Sequence, residues 1–155
     1  MRLTEENLIV YVLKPGDHGA GAVGDSIDMT DYLHATFIVQ FAAITDDVGD
    51  LTIKSGNADA TQTTSETFYY RLASAVQGAT SADQYGAELS STSLTLVAAT
   101  YQNRTLICEV NTPELTAGQP FITFAFSADA TAINASVVAI LKPRYLQYNP
   151  PTAIA

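Results

Sequence analysis

Apolar and polar side chains alternate with a period of two along Thr36-Phe37-Ile38-Val39-Gln40-Phe41. Phe37, Val39 and Phe41 then share one face and Thr36, Ile38 and Gln40 the other, the pattern of a half-buried strand. Runs rich in β-branched and aromatic residues predict seven further strands, over residues 8–13, 50–54, 67–72, 93–98, 105–110, 121–127 and 136–142. Turns are expected at Pro15-Gly16-Asp17, Asp46-Asp47-Val48-Gly49, Tyr101-Gln102-Asn103 and Ala117-Gly118-Gln119-Pro120, whose residues accept turn dihedrals or bond their own backbone.

Helical signal is sparse. Residues 111–115 read as one turn, with Asn111 or Thr112 capping and Pro113 near the first helical position, where its missing N–H is harmless. Residues 28–32 offer another. About eight short strands without long intervening helices predict an all-β fold: an antiparallel β-sandwich, jelly-roll-like, with extended terminal arms at 1–7 and 143–155. Residues 73–92 are small and polar and longer than a usual connection, so they form a functional loop or conceal a short strand near 85–89. The aromatic, proline-rich segment 143–151 suits an arm lying over a neighbour. A disordered end, or a tail packed on its own domain, is the plainer reading.

At 155 residues the chain fits one domain, 1–155. Seven Lys+Arg against sixteen Asp+Glu give a net charge of −9, which repels a nucleic-acid backbone or an anionic membrane. Protein or neutral partners are therefore expected, with neither nucleic acid nor membrane. Met1 leads into Arg2-Leu3-Thr4-Glu5-Glu6 with no long apolar stretch behind it, so we expect neither a secretory signal nor a span. Cys108 is the only cysteine, which excludes an internal disulfide and suits a reducing cytoplasm.

Candidate chemistry is thin. Asp25, Asp28 and Asp31, and the group Asp46, Asp47 and Asp50, offer oxygens to a hard cation but lack the spacing of a calcium loop; capping and solvated turns explain them more simply. His18 and His34 have no third histidine or cysteine pair to complete a transition-metal set, and His34 reads as a strand-edge hydrogen-bonding residue. Cys108 alternates with Leu106 and Val110 and reads as a small buried hydrophobe rather than a nucleophile. Phe68 and Tyr70 belong to a core face, with Tyr69 and Arg71 opposite. No catalytic residue, metal site or cofactor is expected.

Three stretches carry a resemblance. They are Gly24-Asp25-Ser26-Ile27-Asp28-Met29-Thr30-Asp31-Tyr32-Leu33-His34-Ala35-Thr36-Phe37-Ile38-Val39, Phe68-Tyr69-Tyr70-Arg71, and Val137-Val138-Ala139-Ile140-Leu141-Lys142-Pro143-Arg144-Tyr145. In this order they resemble small head decoration, or cement, proteins of tailed bacteriophages. The resemblance implies a non-enzymatic virion structural protein, made in the host cytoplasm, that binds the outside of the capsid and stabilises it. Its partner would be the major capsid protein, and a homo-oligomer would be usual, a trimer first among the possibilities. Capsid or subunit contact is expected at the arms, through Leu3, Arg144, Tyr145, Leu146, Tyr148 and Pro150.

Two other functions remain open from the residues. One is a glycan-recognition or host-adhesion module built on Tyr69, Tyr85, Tyr101 and the 73–92 loop, although the chain has no tryptophan to complete an aromatic platform. The other is a hydrolase using paired carboxylates, for which no pair can be nominated.

Overall fold

The computed structural model describes residues 3–128, 130–145 and 152–154. In chain order the strands are β1 (Leu8–Asp17), β2 (Ala22–Val23), β3 (Ile27–Asp28), β4 (Tyr32–Ile44), β5 (Asp50–Gly56), β6 (Thr64–Ser65), β7 (Phe68–Leu72), β8 (Leu89–Ser91), β9 (Leu94–Thr95), β10 (Thr105–Asn111), β11 (Phe121–Phe126) and β12 (Ile133–Pro143). Single helical turns occur at α1 (Leu3–Glu6) and α2 (Ala98–Tyr101), and a 3-10 turn at Thr112–Glu114.

The fold is an all-β sandwich of two antiparallel sheets. The larger runs β1-β12-β4-β10-β7-β8; the smaller runs β2-β11-β5-β6, with β3 also on β11 and β9 on β5. Alternation along β4, β10 and β12 buries Ala35, Phe37, Val39 and Phe41, then Leu106, Cys108 and Val110, then Val137, Ala139 and Leu141. They meet Ile122, Phe124 and Phe126 of β11 and Leu51 and Ile53 of β5 in one core. Four phenylalanines lock the sheets together. Phe37 packs on Phe124 at 5.4 Å between ring centroids, Phe41 on Phe126 at 6.2 Å, and Phe124 meets Phe126 edge-on at 5.3 Å. Burying each such ring is worth about 2–3 kcal/mol, against about 0–1 for an exposed ion pair such as Arg71–Glu88, so packing decides stability here.

Seven of the eight expected strands form. The exception is 93–98, of which only Leu94–Thr95 pairs, as β9 on β5, before α2 begins at Ala98. The reason lies outside the segment: Asp47 Oδ1 accepts the Ala98 amide at 2.6 Å, capping a turn that opens on two alanines, the best helix formers. The expected turn at Pro15-Gly16-Asp17 is instead a bulged continuation of β1. β1 is an edge strand, so the N–H that Pro15 lacks is not needed by a ladder partner.

Thr112–Glu114 is helical as expected, with Asn111 in the cap position but making no side-chain cap bond. Residues 28–32 form a tight turn rather than a helix, closed by the Tyr32 amide on the Met29 carbonyl at 3.1 Å. In the long 73–92 stretch, Tyr85 bridges to Ala73, and Leu89–Ser91 adds β8 to β7.

Candidate functional site

The outward side of the larger sheet carries an apolar band that alternation within single strands does not reveal. In the ladders Tyr11 lies opposite Val138, Val138 opposite Ile38, Ile38 opposite Ile107, and Ile107 opposite Arg71, forming one row across β1, β12, β4, β10 and β7. Directly paired residues of antiparallel strands share a face. The next row reads Ile9, Ile140, Thr36, Glu109, Tyr69. Ile9 and Tyr11 are 46% and 57% exposed, while the aliphatic members between them are half-buried by their neighbours.

Polar groups frame this band at both ends. On one side Pro15, Gly16, Gln40, Gln77, Asn134 and Ser136 line a shallow depression of about 350 Å³. On the other, His34 Nδ1 meets Asn111 Oδ1 at 2.8 Å, and His34 Nε2 faces Thr36 Oγ1 at 3.0 Å and Glu109 Oε1 at 3.3 Å. Asn111 Nδ2 donates to Glu114 Oε2 at 3.2 Å. Lys142 stands opposite His34 on β12 and lines one depression with His34, Asn111 and Glu114. At this end of the face Lys142 lies on the β12 side of β4 and the carboxylates of Glu109 and Glu114 on the β10 side, while Arg71 pairs with Glu88 farther out on β7.

A second concavity of about 460 Å³ joins the two ends of the chain. It is lined by Glu6, Asn7, Leu33, Lys142, Pro143, Arg144 and Tyr145. Asn7 closes α1 by donating its amide to the Leu3 carbonyl at 3.0 Å, which brings that turn to the cleft. The Arg144 amide donates to the Asp31 carbonyl at 2.8 Å and anchors the exit of β12. Leu3 is 53% exposed and Tyr145 72%, and Arg144 is exposed as well. Leu146, Tyr148 and Pro150 lie outside the described residues. Further on, Asp28 donates its amide to the Ala153 carbonyl at 2.7 Å and Ile27 bridges to Ile154, so residues 152–154 rest on the chain's own β3.

The remaining candidates are structural. Asp28 Oδ1 accepts both the amide and the hydroxyl of Thr30, at 2.9 and 2.6 Å. Asp46, Asp47 and Asp50 each serve a different segment, bonding the Thr131 amide, the Ala98 amide and the Thr95 hydroxyl. The Thr131 hydrogen bonds hold the Asp46 carboxyl below its usual range. His18 is buried, with Nε2 at 3.0 Å from the Lys14 carbonyl and its ring stacked on Phe126. It sits by Ile133 at the start of β12, whereas His34 pairs with Lys142 at the other end of that strand. Among the described residues no group of three or more His, Cys, Asp or Glu converges to hold a metal.

Cys108 is buried, and burial pushes its thiol well above the ordinary range, with Glu109 adding to the effect. Tyr101 lies in the core against Phe41, so Tyr69, Tyr85 and Tyr101 do not form one exposed platform.

No family model matches the chain, and no curated protein matches it. Among solved structures it is similar to the SPBc2 prophage-derived protein YomS, at 7% sequence identity and a TM-score of 0.48, covering 87% of this chain and 93% of that one.

Proposed function

We propose that this chain is a non-enzymatic virion structural protein that binds the outside of a phage capsid and stabilises it, as a decoration or cement protein does. One observation carries this reading beyond the sequence resemblance: α1 and the exit of β12 converge on one cleft, where exposed Leu33 and Tyr145 stand beside Lys142 and Arg144. In a chain of net charge −9, two cations against the one carboxylate of Glu6, beside exposed apolar groups, form a local exception. Such a cleft suits an acidic or apolar segment of a larger protein, with the aromatic ring supplying contact area and the arginine directional hydrogen bonds. The partner is the major capsid protein, and the flanking arms extend the contact.

Co-sedimentation with emptied heads of the phage that encodes the chain tests this. Bound protein is expected in the head pellet, with loss of most binding on Arg144→Glu combined with Tyr145→Ala. Protein that stays in the supernatant at every concentration, while glycan arrays show binding, would replace this reading by the adhesion alternative.

A further inference from the structure

We propose that the outward face of the larger sheet is a two-fold interface between two copies of this chain, with the axis running roughly along β4. This goes beyond capsid binding, which is placed at the terminal cleft. A two-fold axis lying in the plane of two facing sheets exchanges the β12 side of one copy with the β10 side of the other. Each outward row is complementary under that exchange.

Ile38 meets Ile38 of the second copy, while Val138 meets Ile107. Tyr11 falls over Arg71, which suits a guanidinium on a ring face. Ile9 meets Tyr69, Ile140 covers the aliphatic stem of Glu109, and Ser136 meets Thr105 beside Gln40. Lys142 lands on Asn111 and the neighbouring Glu114 carboxylate, so the opposite charges at this end of the face attract rather than repel.

The size is sufficient. Strands about 4.8 Å apart and residues about 3.4 Å apart make this face roughly 20 Å in each direction between Cα positions. With side chains it buries on the order of 1,000–1,200 Å² over both copies, enough for a weak, concentration-dependent dimer with good complementarity. Net charge −9 on each copy opposes association, but beyond about 8 Å that repulsion is screened at physiological salt.

Sedimentation velocity of the full chain at physiological ionic strength tests this. A concentration-dependent dimer is expected. Ile38→Glu should sediment as a monomer with an unchanged circular dichroism spectrum. Lys142→Glu should weaken the dimer at least about tenfold, and adding Glu114→Lys should restore it. Ile38→Cys places two thiols across the axis on sheets about 10 Å apart, too far for a direct disulfide but within reach of a short bismaleimide crosslinker, which should give a covalent dimer while buried Cys108 stays unreacted.

A wild-type protein that stays monomeric at high micromolar concentration overturns the proposal. So does a trimer, or a dimer that survives Ile38→Glu. If the wild type is monomeric and Ile38→Glu abolishes head binding, the face belongs to the capsid and this inference falls while the proposed function stands. A dimer that Ile38→Glu dissociates but that ignores emptied heads upholds the two-fold interface and removes the proposed function instead.

Discussion

Ala153 reaches back across the chain to Asp28: its carbonyl accepts the Asp28 amide at 2.7 Å, and its own side chain is buried. The C-terminal segment is thus tied to the body at its far end as well as at Arg144. Among the described residues, removing 146–155 deletes the Asp28–Ala153 hydrogen bond, the Ile27–Ile154 bridge and the buried Ala153 methyl, together worth about 1–3 kcal/mol. The truncated protein should keep its strand signal in circular dichroism, lose that much stability in urea, and bind emptied heads more weakly. Head binding that equals the full chain would remove the tail from the mechanism.

Acid should weaken the junction of β1 and β12 through Asp17. Its carboxylate accepts the amides of Gly19 at 2.9 Å and Ile133 at 3.0 Å, and these bonds hold its pKa below the ordinary 3.8. A folded-state pKa below the unfolded one means that the native state favours the ionised form. The contribution is complete above 3.8 and is lost as pH falls through the lowered folded value. Asp17→Asn keeps an accepting oxygen but not the charge. It should lower the melting temperature at neutral pH, with the gap to wild type closing in strong acid. A constant gap at every pH would show that shape rather than charge matters there.

Gly56 illustrates what a short polar loop can demand of a strand. A Cβ there would lie far inside van der Waals contact with both the hydroxyl and the carbonyl of Thr61. Thr61 cannot move aside, because its hydroxyl donates to the Ala58 carbonyl at 2.6 Å and Ala60, at φ 58°, is held by Ser26 Oγ at 2.9 Å. Gly56→Ala should cost about 2–3 kcal/mol by denaturant titration, the overpacking range, whereas alanine at Gly78, which meets nothing, should lose only what its positive φ requires. Equal costs at the two sites would sink the clash explanation.

The strands are legible where side chains alternate, because burial on one face writes a period of two directly into β4, β10 and β12. Cys108 between Leu106 and Val110 is an inner-face position for the same reason. Two features are hidden because they depend on residues far apart in sequence. The helical turn at 98–101 takes its cap from Asp47, and the outward apolar band exists only once the ladder registers set Ile38 between Val138 and Ile107. A trace of the band is present in Ile38, which shares its face with Thr36 and Gln40. Alternation alone does not say which neighbours surround it. Tyr101 is buried because α2 turns it against Phe41, a placement that a strand running through 93–98 does not foresee.

Tyr101 gives the last prediction, at alkaline pH. Burial, and after it the neighbouring Tyr70 phenol, pushes its pKa up to about 12 from an ordinary 10. Its ring meets Phe41 at 6.2 Å and 64°, so the hydroxyl is carried by a core position rather than by the surface. A phenol with a raised folded pKa binds its proton more tightly in the native state than in the unfolded chain. The stabilisation is complete below pH 10 and is lost as pH rises through about 12. Wild type should therefore lose urea stability steeply across that interval. Tyr101→Phe, which keeps the ring and removes the titrating group, should flatten the loss. Ultraviolet titration of the folded wild type should show Tyr101 ionising late and only as the strand signal disappears, together with Tyr32, whose pKa is also raised by burial and by the Asp31 and Asp28 carboxylates. A Tyr101→Phe protein whose alkaline unfolding tracks wild type would assign the transition to another group and remove Tyr101 from the alkaline limit of the fold.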